Sequence, residues 1–230
     1  MNAAERQKHW QSVYTSKRET EVSWFEENPA PSLDLIALVG AGRSSAVIDI
    51  GGGASRLVDR LILQGYEDLT VLDISAAALE AAKARIGERA QQVHWLVADV
   101  TTWEPSRVYD VWHDRATFHF LVEPADQAAY VVRLRRALRP GGHTIIGAFA
   151  LDGPEMCSGL PVARYDVESL GTALGPAFLL VDTRRHDHLT PRGVTQHFQF
   201  SVFRFGAEQG LTGTSPDRAR PPSPRLAKGA

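Results

Sequence analysis

Ala46-Val47-Ile48-Asp49-Ile50 runs directly into Gly51-Gly52-Gly53-Ala54-Ser55. A short apolar run that ends in glycines reads as a buried strand. The glycines let the backbone turn tightly and come close to a ligand. Ser55 can cap a helix running to Gln64, on which Leu57, Leu61 and Ile62 share one face, and Gly65 can end it. Strand, glycine turn and helix N-terminus in this order make a cradle for a small ligand. Dinucleotide enzymes use G-x-G-x-x-G at this place, with a pyrophosphate over the helix. Here Arg56 stands where the third glycine would be, and Asp49 precedes the turn. A carboxylate at that point repels a pyrophosphate and suits a cationic ligand.

Outward from the turn, strand and helix patterns alternate. Leu69–Leu72 reads as a second strand, and Ser75 caps an alanine-rich helix that stops near Gly87. Val93–Ala98 and Val108–Trp112 read as strands three and four. Pro124 suits the first turn of a helix lined by Val131, Leu134 and Leu138, which Arg139-Pro140-Gly141-Gly142 ends. Thr144–Phe149 is then strand five, and Phe178–Thr183 and His197–Phe205 are two more. This alternation implies βαβ units, hence an α/β fold with a doubly wound, Rossmann-like sheet that is mostly parallel and ends in an antiparallel pair. Ligands of such sheets sit beyond the carboxyl ends of the strands. Two further acids stand there: Asp73 after strand two, suited to ribose hydroxyls, and Asp99 after strand three, suited to an exocyclic amine, with Val100 to pack on an adenine ring.

Composition narrows the function classes. The chain has 230 residues, 25 Lys and Arg against 27 Asp and Glu, and 43% hydrophobic residues. That is enough for one domain with a full core, and a net charge of −2 offers no general attraction to nucleic acid. No apolar run approaches the roughly 18–20 residues that span a bilayer. The first thirty residues lack a secretory pattern, and the single cysteine, Cys157, excludes an intrachain disulfide, so a cytoplasmic setting is expected. Gly206–Ala230, rich in proline and glycine and without aromatics, reads as a disordered tail. The expected organisation is an N-terminal helical segment over residues 1–40, a domain over 41–205, and the tail over 206–230.

The ordered set of Asp-x-Gly-x-Gly, an acid after strand two, an acid after strand three, and Pro-Gly-Gly before strand five resembles the class I S-adenosylmethionine-dependent methyltransferases. The resemblance implies S-adenosyl-L-methionine as cofactor. By it, the turn with Asp49, Gly51, Gly53 and Ser55 holds the methionine part, Asp73 with Ile74 the ribose, and Asp99 with Val100 the adenine. Trp10, Tyr14 and Ser23-Trp24-Phe25 resemble a branch in which the N-terminal segment lies over the cofactor. That branch includes lysine methyltransferases acting on elongation factor 1A and citrate synthase. His113-Asp114-Arg115-Ala116-Thr117-Phe118-His119-Phe120 is similar to its Asp-Lys-Gly-Thr stretch, with Arg115 and Ala116 in place of lysine and glycine. His113 falls to the cofactor or the acceptor side, and Asp114, His113, His119 and Tyr14 are the candidate catalytic groups. Asp114 is expected to stay ionised and to orient the acceptor or take its proton.

The resemblance leans towards a protein lysine as acceptor; a small thiol, amine or carboxylic acid is the alternative. A base amine of nucleic acid is disfavoured, because the Asn/Asp-Pro-Pro-Tyr signature is absent. A nicotinamide oxidoreductase is opposed by Arg56 and Asp49, and a non-catalytic nucleoside-binding module is the remaining alternative. Cys157 in the loop after strand five could act as a nucleophile, but a lone thiol makes this the minor reading. His186 and His188 would share a strand face, with His197 as a third ligand, yet histidines in such pairs commonly pack or face solvent, and no metal is expected.

Overall fold

The chain begins with helix α1 (Ala3–Ser16), and its computed structural model describes residues 1–206. Asn2 caps α1: its side chain accepts from the Glu5 N–H, while the Glu5 carboxylate accepts from the Asn2 N–H. Helix α2 (Ala30–Leu38) follows, and then β1 (Ala46–Ile50), α3 (Leu57–Leu63), β2 (Asp68–Asp73), α4 (Ala76–Ile86), β3 (Val93–Val97) and β4 (Tyr109–Arg115). The second half holds α5 (Pro124–Ala137), β5 (Leu138–Phe149), a two-residue hairpin of β6 (Met156–Cys157) and β7 (Leu160–Pro161), α6 (Val167–Leu174), β8 (Phe178–Leu189) and β9 (Thr195–Phe205).

Seven strands form one sheet in the order β3-β2-β1-β4-β5-β9-β8. The first five are parallel to one another, and β9 lies antiparallel to both β5 and β8. The sheet is therefore doubly wound and Rossmann-like, with the antiparallel pair at its C-terminal edge. Strand order reverses between β1 and β4, which opens a crevice at their carboxyl ends. One face packs Trp112, Tyr130, Leu134, Leu170 and Phe203; the other packs Leu35, Leu57, Leu79, Phe149, Phe198 and Phe200. Burial of both faces explains why β1 is apolar along almost its whole length.

Three local expectations need correction. β4 continues three residues past Trp112, so His113, Asp114 and Arg115 are strand residues whose side chains alternate between the two faces. β5 starts at Leu138 and takes in Arg139-Pro140-Gly141-Gly142, because the register shifts between Tyr109 and Val111 and an irregular ladder tolerates a proline without an N–H. Ser55 does not cap α3 at its N-cap, which is Arg56, although its hydroxyl accepts from the Leu57 N–H at 3.1 Å. Ser75 caps α4 as expected. Of the expected tail only Gly206 lies within the described residues. Among those residues no helix is long and apolar enough to cross a membrane.

Candidate active site

The turn after β1 works because its glycines leave room. Gly51 has φ of 64°, and a Cβ there would lie 1.8 Å from Thr117 Oγ1. Gly53 has φ of 44°, and a Cβ would crowd both Asp73 Oδ2 and Tyr14 Oη at 2.9 Å. Both positions combine a left-handed backbone with a close approach, so only glycine fits without strain. Beneath the turn, β1 pairs with β4 and sets Asp49 beside His113. The Asp49 carboxylate lies 2.7 Å from His113 Nδ1, and His113 Nε2 lies 2.8 Å from Ser32 Oγ. Nδ1–H then donates to Asp49 and Nε2 accepts the hydroxyl proton, which ties α2 to the sheet. Both nitrogens are engaged and buried, so His113 braces the turn from beneath.

Asp73 reaches the wall of a cavity at the strand ends, where its Oδ1 accepts from the Ser75 N–H at 2.7 Å. Burial, with the charge of Asp49 adding to it, pushes its carboxyl up to about 7. A ligand that brings positive charge and hydroxyl donors would relieve this unfavourable setting. Asp99 is also at the wall, but its side chain is already held. Arg6 donates to Asp99 Oδ2 from Nε at 3.0 Å and Nη2 at 2.9 Å, while the Thr101 N–H and hydroxyl donate to Oδ1. Arg6 also grips Asp126 at 2.7 Å. This clamp pins α1 over the end of β3, and it leaves Val100 and Ala98 as the free surface beside Asp99.

The cavity encloses about 760 Å³ of empty space, its open mouth included. Trp10, Tyr14, Trp24, Gly51, Asp73, Ile74, Asp99 and Val100 line it, all expected from the sequence. Asp49 and Gly53 lie behind this wall, and Ser55 opens onto a smaller neighbouring cavity shared with Tyr14 and Trp24. Trp10 is 5.8 Å from Trp24 and 4.8 Å from Phe120 between ring centroids, which makes an aromatic cover from three separate segments. Burial, with Asp73's charge adding to it, raises the Tyr14 phenol well above its ordinary range, so it keeps its proton.

The far end of the cavity departs from expectation. Asp114 is fully buried and does not reach it. Its carboxylate accepts from the Tyr130 hydroxyl at 2.7 Å, from the Thr117 N–H at 2.9 Å and from the Phe118 N–H at 3.1 Å. Trp112 Nε1 donates to the same tyrosine hydroxyl. Strand alternation turns Asp114 away from His113 and Arg115, so it holds the loop after β4 instead of facing an acceptor. Burial pushes its carboxyl up to about 6, still mostly ionised at neutral pH. His119 is also fully buried, pulled down to about 3 by burial and the nearby Arg115, and does not line the cavity.

In their place stand Arg115, Thr117, Phe120 and Cys157. Arg115 Nη1 donates to the Trp24 carbonyl at 3.0 Å, Nη2 pairs with Glu26 Oε1 at 3.1 Å, and the guanidinium lies over Phe198. Its Nε and Nη2 lack aligned hydrogen-bond acceptors although both are buried. Ala116 holds φ of 67°, a strained value for alanine at the position where the resembling branch has glycine. Cys157 is buried at the wall, and burial pushes its thiol up to about 11, which keeps it protonated and unreactive. Arg115 was visible in the sequence only as a substitution in a motif; nothing local announced Arg6, whose partner lies 93 positions away.

The residues fit the cofactor that the resemblance implies: a glycine cradle that any Cβ would fill, a buried acid at the ribose position, and apolar walls. A model of the methyltransferase domain matches residues 47–142. A putative O-methyltransferase of Mycobacterium avium (strain 104) is 31% identical over 177 residues, 70% of this chain and 71% of that protein. The trans-aconitate 2-methyltransferase of Azoarcus sp. (strain BH72) is 28% identical over 53% of this chain, which spans about half of that protein, 46%. EEF1A lysine methyltransferase 2 of Danio rerio is 27% identical over 60% of this chain and 66% of its own. In fold, the chain is similar to the 1,6-didemethyltoxoflavin-N1-methyltransferase of Burkholderia thailandensis, solved with S-adenosylhomocysteine: TM-score 0.69 at 22% identity, over 90% of this chain and 92% of that one.

Proposed function

Because the chain belongs to the S-adenosylmethionine-dependent methyltransferases, we propose that its acceptor is a small molecule carrying an anionic oxygen, a carboxylate in the first place, held against Arg115. When bound, S-adenosylmethionine supplies an electrophilic methyl carbon on a sulfonium. Asp73 would take the ribose hydroxyls and the Gly51–Gly53 turn the methionine part. The aromatic cover of Trp10, Trp24 and Phe120 excludes water, and the fixed walls orient the acceptor for in-line attack.

The observation that carries the choice of acceptor is Arg115 itself, a buried guanidinium in the wall beyond Asp73 that pairs with Glu26 through Nη2 and keeps an Nε without an aligned acceptor. Among the described residues the lining holds no histidine, and its only carboxylates are Asp73 and Asp99. A carboxylate arrives ionised at neutral pH and needs no base, whereas a lysine ammonium must first lose a proton. An N–H of Arg115 that lacks an aligned acceptor can be taken by a carboxylate oxygen but not by an ammonium, which has none to offer. The names of the O-methyl and trans-aconitate relatives support this reading. The likeness to an elongation-factor lysine methyltransferase supports the second reading, a protein lysine.

The test is formation of S-adenosylhomocysteine with mono- and dicarboxylic acids and phenols, run beside cell protein with labelled donor. Arg115→Leu should raise KM for an acid acceptor about tenfold or more, the scale of a lost charge-assisted contact, while the donor Kd stays within about threefold. Label that enters protein alone, with Arg115→Leu indifferent, would install the lysine reading instead.

A further inference from the structure

We propose that Glu26, His186 and His188 form a binding site for one divalent transition-metal ion, zinc in the first place, at the outer edge of the sheet. His186 and His188 alternate on β8 and therefore share a face. Glu26, between α1 and α2, meets that face: its Oε1 lies 3.2 Å from His186 Nε2 and 3.0 Å from His188 Nδ1. Ligand atoms of the three residues all fall within 4.8 Å of one another. Donors about 2.1 Å from a zinc ion stand about 3.4 Å apart in a tetrahedron, so the two spacings from Glu26 to the histidines need little change.

The tautomer of His188 carries the argument further. The ring is buried, and its Nε2 lies 2.7 Å from the Ser23 carbonyl, which can only accept. Nε2 therefore bears the hydrogen. A neutral ring then points the Nδ1 lone pair at the Glu26 carboxylate, two electron-rich atoms 3.0 Å apart. A metal ion placed between them would accept both lone pairs. An N–H donated to a backbone carbonyl is the contact that orients metal-ligating histidines, and here it aims Nδ1 at the other two donors. The cluster borders an open cleft that also exposes Thr20 and Asn28, which leaves space for water as a further ligand. Arg115 Nη2 approaches the same Glu26 oxygen at 3.1 Å, so the ion would share Oε1 with the guanidinium. That shared charge weakens the site relative to an isolated triad. His197, the third ligand suggested by the sequence, instead pairs with Asp187 and is not in the cluster.

The experiment uses the full chain, loaded with zinc chloride, desalted and assayed for metal by mass spectrometry, with calorimetric titration of zinc and an absorption spectrum of the cobalt form. One zinc per chain, a melting temperature raised by about 5 °C at saturation, and tetrahedral cobalt bands are expected. His186→Ala, at a half-exposed position with little to lose in folding, and Glu26→Gln should each weaken zinc binding about tenfold or more, while His197→Ala leaves it unchanged. A substoichiometric zinc content in the wild-type chain, or equal binding by His186→Ala, would overturn the proposal.

Discussion

The near and far ends of the cavity are built differently. At the near end, Gly51 and Ile74 follow directly on β1 and β2, Asp73 is the last residue of β2, Val100 stands just past β3, and the parallel sheet delivers them to one place. At the far end the wall is assembled from α1, the stretch around Trp24, the last residue of β4 and the β6 hairpin. The near end needs only the strand order to be right. The far end needs α1 and the Ser23–Glu26 stretch to dock, through Arg6 on Asp99 and Asp126, and through Arg115 on Trp24 and Glu26. His113 and Asp114, singled out by their strand position, are both engaged in internal hydrogen bonds and do not line the cavity. Alternation sets Asp114 on the face opposite His113 and Arg115, and position along the strand then separates His113, beneath the turn, from Arg115 at the cavity.

The largest expected effect tests this division at Asp114. Asp114→Ala strands the Tyr130 hydroxyl and two loop N–H groups in the interior, which should cost about 3 kcal/mol and lower the melting temperature by roughly 6–12 °C. Donor affinity in the folded fraction should change little. A variant as stable as wild type that no longer transfers methyl would return Asp114 to the acceptor site and erase the contrast between the two ends.

Next in size is the near end itself. Asp73→Ala should weaken S-adenosylmethionine binding about ten- to a hundredfold, the range for a lost charge-assisted pair of hydrogen bonds, without unfolding the chain. Unchanged affinity by calorimetry would detach the strand-two acid from the donor.

A smaller effect sharpens the same point through pH. The Asp73 carboxyl sits at about 7, so below that pH it is protonated and has lost the charge that favours a cationic donor. Donor affinity should therefore rise between pH 6 and pH 8, by about tenfold at most, and Asp73→Asn should flatten the profile. The sign for the fold is opposite: a carboxyl raised above its ordinary value stabilises the free protein at low pH, and this contribution fades as pH climbs through about 7. A donor affinity that falls across this window would contradict the assignment.

The smallest effect is expected at Cys157. Its thiol, at about 11, stays protonated, so Cys157→Ala should keep turnover within about threefold and the wild-type thiol should react slowly with iodoacetamide at neutral pH. A loss well beyond that would make Cys157 part of the acceptor chemistry at the far end.

The sequence by itself determined the fold class, the donor and much of the near end. Those features are written locally, in an apolar run, a glycine-rich turn, and acids at or just past the ends of successive strands. Trp10, Tyr14 and Trp24 were legible as well, through the likeness of the N-terminal segment to a known branch. Only the tertiary structure decided that His113 lies between Asp49 and Ser32, that Asp114 turns inward to Tyr130, and that Arg115 turns outward to the cavity. The reason is physical: β4 runs on past Trp112, alternation sends Asp114 to the face opposite His113 and Arg115, and of that pair only Arg115, the last residue of the strand, reaches the cavity. Arg6 with Asp99, and Glu26 with His186 and His188, join segments 93 to 162 residues apart, and such pairs arise from packing and leave no periodic trace in the chain.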